Sequence, residues 1–175
     1  MKFNYKTKPY EHQHEALLRS YDKTNFGYFM EMGCGKSKVL IDNMVWLYEQ
    51  GKIDTAVIVA PKGVYRNWEI SEIPTHLPEN IEHEVYVWTP SPNKTQAERL
   101  KAGIEERDKL RILLVNVEGF ATPKVSKFVD LFIRDSAFLL AVDESTTIKN
   151  PKAKRTKALV VLSEKASFRR ILTGS

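Results

Sequence analysis

The sequence has almost no cysteine and no long apolar segment. Its 175 residues include one cysteine, Cys34, which excludes an internal disulfide and a cysteine-based zinc site. The longest uninterrupted apolar run covers residues 137–142, whereas a membrane-spanning helix needs about 20 apolar residues. The N-terminus also lacks the apolar core of a signal peptide. These absences predict a cytoplasmic protein with no membrane segment.

The charge is spread unevenly over a chain whose length and 42 % hydrophobic content fit one globular domain. Eight of the basic residues and only one acid lie in residues 149–170, which we call the basic segment. Its local net charge is +7, against +5 for the whole chain. A charge run of this kind is usually a solvated helix face. The alternative is a surface that binds a polyanion such as nucleic acid.

The most informative stretch reads Glu-Met-Gly-Cys-Gly-Lys-Ser over residues 31–37. An apolar run precedes it and an amphipathic run follows, which predicts a strand, a tight loop and a helix, the setting of a phosphate-binding loop. Met30 occupies the place of the first glycine of that pattern. A glycine-rich turn that happens to precede a lysine is the alternative.

The residue types of this stretch suit a nucleotide. Its glycines let backbone N–H groups approach a phosphate, and the start of the helix adds partial positive charge. Lys36 can reach the terminal phosphates, and the Ser37 hydroxyl is placed to ligate the magnesium ion of the nucleotide. The predicted sites for ATP with Mg²⁺ are Met32, Gly33, Cys34, Gly35, Lys36 and Ser37.

Two acids end a second apolar run, at residues 138–142. In a phosphate-loop protein, one such acid orients magnesium and the other polarises the attacking water. We therefore predict that Asp143 is a magnesium ligand. Glu144 is the predicted catalytic acid, with Lys36 as the catalytic cation. The alternative is a chance pair of acids at a strand end.

Strands and helices alternate along the whole chain. The apolar patterns predict strands over residues 27–30, 55–60, 84–88, 111–117, 138–144 and 169–173. They predict helices over residues 9–21, 38–49, 64–72, 95–108, from Thr122 onward, and from Asn150 onward. This alternation indicates an α/β fold with a mainly parallel sheet covered by helices on both faces. Ligand sites in such a fold gather at the carboxyl ends of the strands.

These motifs together resemble those of Swi/Snf-type DNA translocases, which belong to helicase superfamily two. The resemblance runs from about Pro9 to the end of the chain. Thr146 stands where motif II of the family usually has a histidine. The segments that resemble motifs I, Ia, II and III are residues 31–37, residues 57–61 with Asn67-Trp68, residues 143–151 and residues 172–175.

The resemblance implies a three-layer α/β/α fold of the RecA-like P-loop NTPase type. It makes Gln13 the candidate adenine reader. It also implies that Lys62, Asn116 and Lys149 contact phosphates of double-stranded DNA. Members of the family carry a second RecA-like lobe with an arginine finger, so residues 1–175 are expected to be the N-terminal lobe of a longer phage or bacterial protein.

The expected function is that of an ATP-binding motor lobe in a monomeric, nucleic-acid-dependent ATPase that translocates along duplex DNA. Hydrolysis by this lobe alone is expected to be very slow. A non-motor nucleic-acid-binding or regulatory domain is the alternative, and the complete set of Lys36, Ser37, Asp143 and Glu144 favours the enzyme. A nucleotide kinase would need an acceptor-binding lid, for which the sequence has no arginine-rich candidate.

Overall fold

Six parallel strands form one sheet in the computed structural model of the chain, which describes residues 1–174 apart from the Thr147 side chain. The strands are β1 Asn25–Phe29, β2 Thr55–Ala60, β3 His83–Val87, β4 Leu110–Asn116, β5 Phe138–Asp143 and β6 Phe168–Thr173. Their order is β1-β6-β5-β2-β4-β3, and each neighbouring pair is parallel. The carboxyl ends of all six strands therefore lie along one edge, which we call the carboxyl edge.

Helices cover both faces of this sheet. They are α1 Glu11–Ser20, α2 Lys36–Glu49, α3 Tyr65–Asn67, a π-helix Trp68–Glu72, α4 Ile73–His76, α5 Lys94–Glu105, α6 Pro123–Ile133 and α7 Lys154–Lys165, with 3₁₀ turns at Val117–Ala121 and Ser145–Ile148. The apolar side chains of α1, α2, the π-helix and α4 pack on one face, and those of α5, α6 and α7 pack on the other. The predicted three-layer α/β/α architecture is confirmed.

The central strands are buried on both faces, which explains their continuous apolar sequences. In β2, Ile58 packs in the cluster that contains Met44 of α2, while Val57 and Val59 pack in the cluster that contains Phe132 of α6. Every residue of β2, β4 and β5 is buried. A rigid sheet therefore supports the loops at the carboxyl edge.

Three of the differences between the predicted and the observed helix boundaries have a clear local cause. The capping box of α5 is formed by Asn93 and Gln96, two residues before the predicted one, because the two side chains bond each other's backbone N–H at 2.9 Å. Helical structure after β2 continues through Pro74, since proline is tolerated in the first turn of α4. Helix α7 starts after Ala153, because the Asn150 side chain instead accepts a hydrogen bond from the Lys152 N–H.

Within residues 1–174, no helix is both long enough and apolar enough to cross a membrane.

Candidate functional site

The loop between β1 and α2 has the backbone geometry of a phosphate cradle. Gly33 and Gly35 adopt left-handed conformations, with φ values of 78° and 77°, which a residue with a Cβ rarely adopts. Gly35 caps the N-terminus of α2, and the first turn of that helix contains no acid. The first N–H groups of a helix have no partner within the helix, and no acid in this turn competes with an anion for them.

Lys36 lies inside this loop rather than in solvent. Its side chain is buried, and Nζ donates hydrogen bonds to the carbonyl oxygens of Met30 at 2.9 Å and Glu31 at 3.2 Å. Both acceptors are neutral carbonyl oxygens, so these two bonds do not neutralise the ammonium charge. The loop is joined to the end of β6, because the Met30 N–H donates to the Thr173 carbonyl at 3.3 Å. The Lys36 charge is thus held where a phosphate could meet it.

The other predicted residues of the loop differ in exposure. Ser37 is the second residue of α2 and is half-buried, whereas the Met32 side chain is 85 % exposed. Cys34 is a half-buried free cysteine. Its carbonyl oxygen accepts hydrogen bonds from Nε2 of His12 at 3.0 Å and Nε2 of Gln13 at 3.1 Å. The backbone of Cys34 therefore connects the loop to α1.

Gln13 supports the loop from α1. Its side chain is buried; Oε1 accepts the Tyr10 N–H at 2.9 Å while Nε2 donates to Cys34. Nε2 also lies 2.2 Å from where a Cβ on Gly35 would be. The spacing of residues along α1 gave no signal for the bonds from His12 and Gln13 to Cys34, because these bonds join segments more than 20 residues apart in sequence.

The two predicted acids lie at the end of β5. Asp143 is buried; its Oδ1 accepts the Glu144 N–H at 3.0 Å, and its Oδ2 accepts the indole N–H of Trp68 at 3.0 Å. Burial raises the pKa of Asp143, and the Trp68 hydrogen bond and the charge of Lys36 oppose that rise. Lys36 and Asp143 therefore lie close enough for their charges to interact.

Glu144 adopts a left-handed conformation with a φ of 53°. Such a conformation costs a non-glycine residue about 1–3 kcal/mol and is found preferentially at functional sites. It turns the chain sharply out of β5 into the 3₁₀ turn Ser145–Ile148. The half-buried Glu144 side chain is thereby placed at the carboxyl edge beside Asp143.

The donor set fits magnesium carried by a nucleotide. Ser37 and Asp143 offer a hydroxyl and a carboxylate, the oxygen ligands that Mg²⁺ prefers. Among residues 1–174, apart from the Thr147 side chain, no group of three or more His, Cys, Asp or Glu side chains could hold a metal ion. Magnesium usually keeps several waters and takes ligands from substrate phosphates, so two protein ligands suffice.

The three residues predicted to contact nucleic acid also lie at the carboxyl edge. Lys62 and Lys149 are exposed, in the loops after β2 and β5. Asn116 ends β4 and is only 9 % exposed. Glu118, which the sequence analysis missed, accepts hydrogen bonds from the Lys62 N–H at 3.1 Å and from Asn116 Nδ2 at 3.4 Å. Glu118 therefore joins the loop after β2 to the loop after β4.

The basic segment does not form one continuous surface. Leu159 and Leu162 of α7 are buried, and Arg170 is 1 % exposed. The Arg170 guanidinium donates to Asn43 Oδ1 at 2.9 Å and to the Ser20 carbonyl at 2.9 Å. Arg170 is thus part of the core, and the exposed charge comes from the loop after β5 and the outer face of α7.

Comparison with known proteins identifies the family of the chain. The sequence model of the SNF2-related domain family matches residues 12–175. The chain belongs to the SNF2-related domain family. This match covers the loop between β1 and α2, the strand end at Asp143 and the complete sheet. No curated protein matches the chain in sequence.

Solved structures show how the fold of this SNF2-related domain compares with others. The SWI2/SNF2 ATPase core of Sulfolobus solfataricus, solved in complex with dsDNA, is similar with a TM-score of 0.73 and 19 % identity over 100 % of this chain and 34 % of that chain. A structure of the UvsW helicase of bacteriophage T4 has a TM-score of 0.66 and 11 % identity over 97 % of this chain and 53 % of that chain. A second T4 UvsW structure has a TM-score of 0.68 and 11 % identity over 97 % of this chain and 30 % of that chain.

These similarities establish a RecA-like lobe of the Snf2 type in helicase superfamily two. The chain spans between about a third and about half of the length of the structures that it matches. Ser175, the last residue of the segment that resembles motif III, lies outside the described residues.

Proposed function

We propose that this SNF2-related domain is the ATP-binding motor lobe of a nucleic-acid-dependent ATPase that translocates along duplex DNA. The observation that carries the proposal is the convergence of a buried lysine, a buried aspartate and a left-handed glutamate at one edge of the sheet. These are Lys36, Asp143 and Glu144. A nucleic-acid-binding domain without turnover would need none of these three side chains.

The nucleotide is proposed to bind in the loop between β1 and α2. The backbone N–H groups of residues 32–37 would surround the phosphates. The Lys36 ammonium would move from the carbonyls of Met30 and Glu31 to the terminal phosphates, a change that replaces neutral acceptors with charged ones. Gln13 would read the adenine; its bonds with Tyr10 and Cys34 use one lone pair of Oε1 and one N–H of Nε2, and a side-chain amide has two of each.

Hydrolysis is proposed to use the acids at the end of β5. Ser37 and Asp143 would hold Mg²⁺ by their oxygens, and Glu144 would orient the attacking water and accept its proton. The bound ion neutralises charge that develops on the phosphate oxygens. The Asp143 carboxylate already has its two oxygens held by N–H donors, so it is oriented before the nucleotide arrives.

Duplex DNA is the proposed partner. The related ATPase core from Sulfolobus solfataricus was solved with dsDNA, and Lys62 and Lys149 of this chain are exposed at the carboxyl edge. Phosphate contacts of this kind position a duplex without reading its sequence. The Asn116 side chain is nine-tenths buried, so a phosphate contact from it requires the loop after β4 to move.

We further propose that residues 1–175 form one lobe of a longer, monomeric chain. A transition-state arginine supplied by another domain is worth about 10³–10⁵ in rate. The chain covers 34 % of the Sulfolobus ATPase core and 53 % of one T4 UvsW structure, which leaves room for a second lobe. Isolated residues 1–175 are therefore expected to bind ATP and to hydrolyse it very slowly.

Steady-state and single-turnover ATPase assays test this function. Purified residues 1–175 should hydrolyse ATP slowly, and Glu144→Gln should reduce that rate while leaving ATP affinity unchanged. Equal hydrolysis by the two proteins would contradict the role of Glu144. Turnover of about ten per second, a typical rate for a complete enzyme, that Glu144→Gln abolished would instead contradict the proposal that a second lobe is required.

A further inference from the structure

The indole N–H of Trp68 donates a hydrogen bond to the Asp143 carboxylate at the end of β5. Trp68 is 1 % exposed, and Nε1 lies 3.0 Å from Oδ2 of Asp143 across 75 residues of sequence. Indole N–H is a donor only and cannot accept a bond. The bond is also charge-assisted whenever Asp143 is ionised, which strengthens it. Because the Trp68 side chain is buried, its N–H cannot bond to solvent water instead.

This bond fixes the orientation of the Asp143 carboxylate. Oδ1 is held by the Glu144 N–H and Oδ2 by Trp68, so rotation of the group would break both bonds. Each oxygen retains a second lone pair that can face a cation. The charge of Glu144 adds to the effect of burial in raising the pKa of Asp143. A donor at Oδ2 therefore stabilises a carboxylate that burial and the neighbouring Glu144 disfavour.

The position of Trp68 in the backbone adds a second reason to assign it a role. Trp68 begins the π-helix Trp68–Glu72, between α3 and α4. A π-turn widens the helix and is usually retained at functional sites. Here the widened turn carries both the donor, Trp68, and the nearby acid, Glu72. The segment after β2 thus takes part in the environment of Asp143.

We propose that Trp68 is a positioning residue for magnesium: its indole N–H holds the Asp143 carboxylate in the orientation that binds the ion of Mg-ATP. The inference rests on the proposed function, because it assigns Asp143 as the ligand. Partners that orient a metal ligand contribute about 10–100-fold in metal affinity or activity. Loss of the N–H should therefore weaken the binding of Mg²⁺ without weakening the binding of the nucleotide itself.

Trp68→Phe removes the N–H and keeps an aromatic ring. Trp88→Phe is the matched control, because Trp88 is also buried and its Nε1 has no hydrogen-bond partner within the described residues. Calorimetric titration with a non-hydrolysable ATP analogue is carried out at a series of Mg²⁺ concentrations and in EDTA. The Mg²⁺ series gives the affinity for the ion, and the titration in EDTA gives the affinity for the nucleotide alone. Trp68→Phe should lower the Mg²⁺ affinity about 10–100-fold and leave the EDTA affinity unchanged, whereas Trp88→Phe should leave both unchanged.

A second variant is needed if Trp68→Phe does not fold. In it, Trp68 is replaced by benzothienylalanine, which has the shape of tryptophan but carries sulfur in place of the indole N–H. A wild-type Mg²⁺ dependence in this variant would overturn the inference. Equal losses of affinity with Mg²⁺ and in EDTA would also overturn it, since they would indicate a structural role. A wild-type chain that bound no ATP analogue would overturn the proposed function and this inference together, so the two failures are distinguishable.

Discussion

The contact between Gly35 and Gln13 predicts an unusually large effect of one methyl group. Gly35→Ala must keep a left-handed φ of 77°, which costs about 1–2 kcal/mol. The new Cβ would lie 2.2 Å from Gln13 Nε2, so the buried amide must move and lose its bonds to Tyr10 and Cys34. Each bond contributes about 0.5–1.5 kcal/mol. The expected loss in the free energy of unfolding is about 2–5 kcal/mol.

Gly51→Ala separates the two contributions. Gly51 has a φ of 67° but nothing within 4 Å of its Cβ position. It follows the C-terminal cap of α2, where left-handed glycine is common. Gly51→Ala should therefore cost only the backbone contribution of about 1–2 kcal/mol, which is about 1–3 kcal/mol less than Gly35→Ala.

Urea unfolding followed by circular dichroism measures both losses, and a double-mutant cycle identifies the cause. In a Gln13→Ala background the clash is gone, so Gly35→Ala should cost about as much as Gly51→Ala. Equal losses for the two glycine variants in the wild-type background would refute the reasoning. An excess loss for Gly35→Ala that persisted with Gln13→Ala would also refute it, because it would not come from the amide.

Three further predictions concern pH, backbone strain and salt. Burial raises the pKa of Asp42 to about 6 from its ordinary 3.8, and the Lys38 ammonium, 2.7 Å from Oδ2, opposes that rise. The folded state therefore holds a proton that the unfolded state loses between about pH 4 and 6, so stability relative to Asp42→Asn in urea unfolding should fall by up to about 3 kcal/mol over that window. Parallel curves for the two proteins would contradict this. Glu144→Gly should relieve the strain of the left-handed φ of 53°, so it should stabilise the fold by up to about 1 kcal/mol while it abolishes ATP turnover. The control variant Asp135→Gly, at a residue with a φ of 60°, should stabilise the fold equally and retain turnover. Lys62→Ala with Lys149→Ala should reduce the slope of log K against log[salt] for duplex DNA by about two without changing sequence preference; an unchanged slope would mean that these lysines are merely solvated.

Local patterns in the sequence were sufficient for the α/β class and for the parallel sheet. The apolar runs that became β2, β4 and β5 are buried on both faces, and such strands leave a continuous signal. Because all strands are parallel, the position of a residue at a strand end placed Lys62, Asn116 and Asp143 at one edge before any contact was known. The RecA-like type came from the motifs as a set, whereas the order of the strands was not predicted and is known only from the structure.

Contacts between distant segments could not be predicted in this way. The bond from Trp68 to Asp143 and the bonds from Glu118 across two loops join residues whose separation in sequence leaves no periodic signal. Arg170 was counted with a basic surface, but its guanidinium is satisfied inside the core by carbonyl and amide oxygens. The sequence shows that such a residue is charged, but it does not show which hydrogen-bond acceptors surround its side chain in the fold.

The most direct test of the central claim is the binding of a nucleotide to the loop between β1 and α2. Lys36 supplies the buried ammonium of that loop, whereas Cys34 contributes its backbone carbonyl to the contacts with His12 and Gln13. Calorimetric titration of residues 1–175 with a non-hydrolysable ATP analogue and Mg²⁺ should therefore show binding that Lys36→Ala abolishes and Cys34→Ala leaves nearly unchanged. Equal losses in the two variants, or full binding by Lys36→Ala, would contradict the assignment of this loop as the phosphate site.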